Sequence, residues 1–156
     1  MNLLIALLAL ATAVNGGLSG LNVDTALVKL PARRRIGAVA YATFARGNDL
    51  GNGLFVYPLL GIGAALLTVL ATAVAYIERS PMEVLLLLTM GSLLSILHTF
   101  ATTRAAPVML SLKDTPDDEA LLTTKLDRFA RWHTIRATFQ VVAFFVLVWA
   151  LAIMGH

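Results

Sequence analysis

The chain has 156 residues, 58% of them hydrophobic and 13% charged, with a mean hydropathy of +0.81. A membrane-spanning helix needs roughly 20 apolar residues, so four spans and their connections nearly exhaust this length and exclude a separate soluble domain. There is no cysteine, which removes disulfides, thiolate metal sites and a cysteine nucleophile, while the pI of 9.7 reflects where the basic residues sit rather than a nucleic-acid partner.

Leu3 to Leu10 could pass for the apolar core of a signal peptide, with Ala11-Thr12-Ala13 as a small-residue cleavage site. No Lys or Arg precedes that run, so it is read as a retained first helix over 2–29, ending before Pro31. This helix carries Asn15, Gly16, Gly17, Gly20, Asn22 and Asp24, more small and polar groups than a lipid-facing surface holds. Gly16 and Gly20 have the spacing that permits close helix approach, so a bulky residue at Gly20 is expected to disturb assembly, within the bundle or with a second protein, more than one at Gly63. A basic, aromatic stretch follows, with an interfacial helix expected over 36–45. Asn48, Asp49 and Asn52 then lead into a second span over 53–77. Glu78-Arg79-Ser80-Pro81 reads as a tight turn and opens a third span over 82–105, which Pro107 is expected to end or kink. Thr115-Pro116 marks the next turn, and Asp117, Asp118 and Glu119 complement the start of the last helix. Its membrane part covers 132–153.

Charge placement orients these spans. Lys29, Arg33, Arg34, Arg35 and Arg46 follow the first span, and Arg104, Lys113, Lys125, Arg128, Arg131 and Arg136 lie at or between the facing ends of the third and fourth. Arg79 alone lies between the second and third. Basic residues stay on the cytoplasmic side in short loops, so both termini are expected outside. The expected fold is an all-α integral membrane four-helix bundle, one domain over 1–156, in a bacterial inner membrane.

The polar residues of the spans gather towards the basic end. They are Asn22 and Asp24 on the first helix, Asn48, Asp49 and Asn52 leading into the second, His98, Thr99 and Thr102 on the third, and Trp132, His133, Arg136 and Gln140 on the fourth. Ionisable groups inside a bilayer face the bundle interior and partner one another, so these residues outline one polar pocket. His133, Arg136 and Gln140 share a face at i, i+3, i+7 spacing, and His98 shares one with Gly91, Ser95 and Thr102. His98 and His133 are nearly equidistant from Thr115-Pro116, so a hairpin turning there brings them to similar depth. Structural readings stand beside the functional ones. Asp24 could pair with Lys29 or Arg136, Trp132 could be an interfacial anchor, and His133 could be a hydrogen-bonded structural residue. No tight spacing supports a metal, or haem held axially by His98 and His133, so no cofactor is expected.

The stretches "VKLPARRR" (Val28 to Arg35), "AVAYATFARGNDLGNGLFVYPLL" and "FARWHTIRATFQVVAFFVLVWAL" together resemble the anthrone-oxygenase-like family of small four-helix membrane proteins, many of unassigned function. The likeness covers nearly the whole chain, and its most specific element is Trp132-His133 with Arg136. It implies a four-helix bundle and, for a minority of members, oxidation of polyketide anthrones by dioxygen without a recognised organic cofactor. The expected function is accordingly an oxygenase acting on a lipophilic phenolic or polycyclic substrate. His133 or His98 would be the general base and Arg136 the oxyanion partner, with Trp132, Gln140, Asn22 and Asp24 around the substrate. The alternative is a non-catalytic accessory subunit of an electron-transfer or photosynthetic complex, docked or oligomerised through its first helix.

Overall fold

The computed structural model describes residues 3–155. It is an all-α, multi-pass membrane protein with four helices long and apolar enough to cross a bilayer. In chain order the elements are α1 (Leu3–Asp24), a π turn (Thr25–Lys29), α2 (Leu30–Ile36), α3 (Ala38–Asn48), α4 (Gly53–Ile77), α5 (Met82–Leu110), a 3-10 turn (Ser111–Asp114) and α6 (Glu119–Met154). The principal packing runs round a ring, α1 on α4, α4 on α5, α5 on α6 and α6 back on α1. Neighbours in the ring are antiparallel. One end of the bundle therefore gathers the α4–α5 turn with the start of α1 and the end of α6. The other, basic end gathers α2, α3 and the α5–α6 connection.

Pro31 does not end the first helix, contrary to expectation. Proline lacks an amide hydrogen and its ring crowds the carbonyl four residues back. The chain accommodates both by widening into the π turn just before it, where the Leu30 amide bonds the Thr25 carbonyl five residues back. Pro31 then takes the opening turn of α2, where a missing donor matters least. Pro107 likewise sits inside α5, which continues to Leu110 instead of stopping near Ala105. Val108, Met109 and Leu112 are buried against Leu122, Leu126 and Phe129 of α6, and that packing holds the helix together across one lost hydrogen bond. The helix expected over 36–45 occupies Ala38–Asn48. Its start is displaced because Gly37 breaks the chain at φ +86°, a conformation that suits glycine.

Three strata fill the interior. At the terminal end, Leu4, Leu8, Ala71, Ala75, Leu88 and Leu147 form an apolar cluster. At the basic end, α3 lies over α5 and α6 through Tyr41, Ala42, Ala45, Met109, Leu122 and Phe129. Burial pushes the Tyr41 phenol up to about 12, so it stays neutral at any physiological pH. Polar bonds tie α3 down. Arg46 donates to the Leu112 and Thr115 carbonyls at 3.0 and 2.7 Å and to Asp117 at 2.8 Å. The carboxylate of Glu119 accepts the first two amides of α3, Ala38 and Val39, at 2.6 and 3.1 Å, which satisfies donors a helix start leaves free. Arg33 pairs with Asp127. Between the apolar strata lies a polar layer containing Asn15, Ser19, Asn22, Thr68, Ser95, His98, His133 and Gln140, all buried.

Close packing within the ring uses glycine selectively. A Cβ at Gly16 would lie 2.9 Å from the Phe144 ring, and one at Gly91 3.2 Å from Leu147. A Cβ at Gly17 or Gly20 would meet nothing within 4 Å. The Gly16–Gly20 pair shares a face of α1, yet it is not a two-point contact inside this bundle, because Phe144 packs over Gly16 alone and Gly20 is exposed.

Candidate functional site

The polar layer divides into two clusters. The first is closed. Gln140 Nε2 donates to Asn15 Oδ1 at 2.7 Å, Asn15 Nδ2 donates to Thr68 Oγ1 at 3.1 Å, and Ser19 Oγ donates to the Gln140 carbonyl at 3.1 Å. Thr68 returns its own proton to the Ala64 carbonyl at 2.7 Å. This clasp joins α1, α4 and α6, and its side chains are completely or almost completely buried. Gln140, expected at the substrate, belongs here and lies outside the cavity described next.

The second cluster borders a cavity of about 340 Å³ enclosed by α1, α4, α5 and α6 at the basic end. Its body is apolar, with Leu18, Leu21, Leu50, Ile62, Met109 and Phe129 among the walls. Its polar groups are Asn22, Thr25, Asp49, Tyr57, His98, His133 and Arg136, with Thr99 and Thr102 beside His98. Asn22, His98, His133 and Arg136 are thus brought together, as the one-sided distribution of polar residues led one to expect. Asp24 is not: it forms an ion pair with Lys29 at 3.0 Å, the local alternative weighed from the sequence. Trp132 is half-buried against the apolar cluster under α3 rather than at the cavity.

Proton positions in this cluster follow from what each partner can do. His133 Nε2 lies 3.0 Å from the Asn22 backbone carbonyl. A carbonyl only accepts, so Nε2 carries the proton. The opposite nitrogen, Nδ1, accepts from Arg136 Nε at 3.0 Å and Nη2 at 2.8 Å, since a guanidinium only donates. His133 is a fully engaged neutral imidazole whose one lone pair is directed at a cation, with the Phe129 ring beside it at 5.4 Å and tilted by 32°. His98 has the reverse tautomer. Its Nδ1 donates to the Arg136 carbonyl at 3.0 Å, leaving the Nε2 lone pair with only the Thr102 hydroxyl at 3.5 Å. That hydroxyl bonds the His98 carbonyl at 2.9 Å, so its proton is committed elsewhere. His98 therefore offers a free basic nitrogen and His133 does not.

Two further groups have unused capacity. Asn22 Nδ2 is buried without a hydrogen-bond partner, a donor costing about 1–3 kcal/mol if left so. Arg136 takes part in no salt bridge among the described residues. Its guanidinium also lies over the Phe129 ring at 5.8 Å. The nearby carboxylate of Asp49 is engaged instead by Asn48 Nδ2 at 2.8 Å and the Tyr57 hydroxyl at 3.3 Å. From the sequence Asp49 belonged to the outline of the polar pocket without a role of its own, and Tyr57 read as an interfacial anchor. Their signal was an acidic residue followed eight positions later by a tyrosine at the start of a span, a pattern that reads equally well as a turn and an anchor.

Among the described residues no three His, Asp or Glu side chains converge on a metal-binding position. Ligation of any group by both histidines would require His133 to surrender its bond to Asn22 or to Arg136. Compared with protein-family models, with curated proteins and with solved structures, the chain matches none.

Proposed function

We propose that this protein is a small membrane oxygenase that binds a lipophilic phenol or polycyclic enol, removes its acidic proton and lets dioxygen oxidise the resulting anion. The observation that supports this reading is the coincidence, on one apolar cavity, of a free imidazole lone pair, a cation without a carboxylate partner and a buried unsatisfied amide donor. His98 Nε2 is the general base, a role suited to an imidazole whose lone pair is uncommitted. Arg136 and Asn22 Nδ2 stabilise the developing oxyanion, which a preorganised, water-poor site does far better than bulk solvent. His133 orients Arg136 through its paired hydrogen bonds and so acts as a positioning residue. For an anthrone-type substrate the balance is a methylene plus one O2 giving a ketone plus one H2O. The proton taken by His98 leaves in that water, and dioxygen is the oxidant.

The topology proposed with it places the basic end in the cytoplasm of a bacterial inner membrane and both termini outside, on the strength of the eleven-to-one charge bias. A reporter fused at the C-terminus and active only in the cytoplasm would refute that orientation. The enzymatic reading is tested by oxygen uptake and product absorbance with 1,8-dihydroxyanthrone and the protein in lipid nanodiscs. Turnover above the spontaneous rate, lost in His98→Ala, supports it; no turnover above that rate refutes it.

A second reading draws on α1. Ala13, Gly17 and Gly20 are exposed together on one side of this helix, which suits an accessory subunit docked there by small-residue packing. Native mass spectrometry of the gently extracted protein distinguishes the two, because a partner subunit would travel with the chain.

A further inference from the structure

The cavity is not sealed, and the most exposed residues of its wall lie along one seam. On α4 they are Leu54, Pro58 and Ile62, spaced at i, i+4, i+8; on α5 they include Thr99 and Leu110, with half-buried Thr102 and Ala106 between them. Among the described residues the side-chain hydrogen bonds between the two helices lie towards their connecting turn. There Thr72 Oγ1 meets Ser92 Oγ at 2.8 Å and the Leu88 carbonyl at 3.0 Å, and the Tyr76 hydroxyl meets Thr89 at 3.1 Å. Continuing that antiparallel register sets Ile62 opposite Thr102, Pro58 opposite Ala106 and Leu54 opposite Leu110. No hydrogen bond crosses the seam at those levels among the described residues, and Pro58 denies the Leu54 carbonyl its usual donor.

We infer that this seam is a lateral portal through which a lipophilic, oxygen-bearing ligand passes from the bilayer to Asn22 and Arg136. The inference deepens the proposed activity and rests on its lipophilic substrate. Three observations carry it. The rim pairs contain no charged side chain. The surface flanking them is strongly apolar, with Phe55 79%, Leu59 74% and Ile96 57% exposed, as a lipid-facing wall is and a water-facing mouth is not. The inner end holds Asn22 Nδ2, on a residue 4% exposed and without a partner, so a molecule arriving through the seam meets an unused donor beside an unpaired guanidinium. The ligand chemistry that fits is a slender or flat apolar body with one acceptor or anionic oxygen. A phenolate and a fatty-acid carboxylate both satisfy it.

Gly61 supplies a clean test. It lines the cavity, yet a Cβ placed on it meets nothing within 4 Å, so Gly61→Leu projects into the passage without forcing the backbone. Gly63, on the same helix but outside the cavity wall, is equally open and gives the matched control Gly63→Leu. In nanodiscs, a diazirine-bearing lipophilic phenol and a diazirine fatty acid are photolysed separately and the labelled peptides mapped. At least one probe is expected to label 18–25 and 98–110 in the parent. Gly61→Leu should reduce that labelling about tenfold and Gly63→Leu less than twofold, at equal heat stability. Labelling by the phenol alone identifies a phenolic ligand, and labelling by both identifies a general lipophilic-anion site. Equal labelling in the two leucine variants, or labelling confined to Phe55, Leu59 and Ile96, overturns the portal. A second measurement uses the absence of other cysteines. Ala106→Cys should react faster with membrane-soluble pyrene maleimide than with a charged sulfonated maleimide, and the opposite order places the mouth in water and overturns the inference. His98→Ala should keep the labelling while losing oxygen uptake. If the parent shows portal labelling but no uptake, the oxygenase reading fails and the portal stands.

Discussion

The two polar clusters of this protein lie side by side in the same layer and are built from similar residue types, yet they differ in one respect that separates structure from function. In the clasp, the Asn15, Thr68, Ser19 and Gln140 side chains donate to one another or to backbone carbonyls. At the cavity, among the described residues, Asn22 Nδ2 has no partner, Arg136 has no carboxylate and His98 Nε2 has no committed donor. Unsatisfied polar groups are expensive in a membrane interior. The bundle completes one cluster and leaves its neighbour incomplete, and the proposed ligand site is placed at the incomplete one for that reason. Arg136 illustrates the contrast within a single residue, since its carbonyl fixes His98 and its guanidinium fixes His133, leaving both imidazoles neutral and oppositely polarised.

The largest expected effect breaks the open cluster at its base. His98→Ala should lower aerobic oxidation of 1,8-dihydroxyanthrone by about a hundredfold or more, in keeping with general-base catalysis, while melting in detergent stays close to the parent. Retained activity would remove His98 from that role. His133→Ala should behave differently. It strips the acceptor from a buried guanidinium and the donor from the Asn22 carbonyl, so stability should fall by about 1–3 kcal/mol together with activity. A variant that loses activity but melts like the parent would return His133 to the part of base that its sequence position first suggested.

The closed cluster should respond in stability alone. Asn15→Leu and Gln140→Leu are each expected to cost about 1–2 kcal/mol, with the double variant costing less than the sum because each single change strands the other residue. Oxygen uptake per folded molecule should remain that of the parent, and a marked loss would show that the two clusters are coupled. The smallest effect tests α1. Since a Cβ at Gly20 meets nothing within 4 Å, as at Gly63, Gly20→Leu and Gly63→Leu should elute and melt alike in detergent. This reverses the expectation drawn from the glycine spacing. A selective defect in Gly20→Leu would reveal a partner on that face.

Much of this could be read in the chain itself. Four apolar runs of membrane length and the concentration of basic residues at one end follow from composition along a line, because spanning a bilayer imposes length and hydropathy locally. The convergence of His133 with Arg136 was equally legible, since i, i+3 spacing on a helix puts two side chains on one face whatever surrounds them. What the sequence could not decide were relations between helices. Whether Pro31 ended a helix or was carried by a π turn depended on how the chain beyond it packs. Whether Gln140 joined the site or the clasp depended on Asn15 from a helix 125 positions away. The proposal of His98 rather than His133 as base turned on what the second nitrogen of each ring meets, the Thr102 hydroxyl or the Arg136 guanidinium, once a carbonyl of another helix holds the first. Those are distances across a folded bundle, and only the tertiary structure sets them.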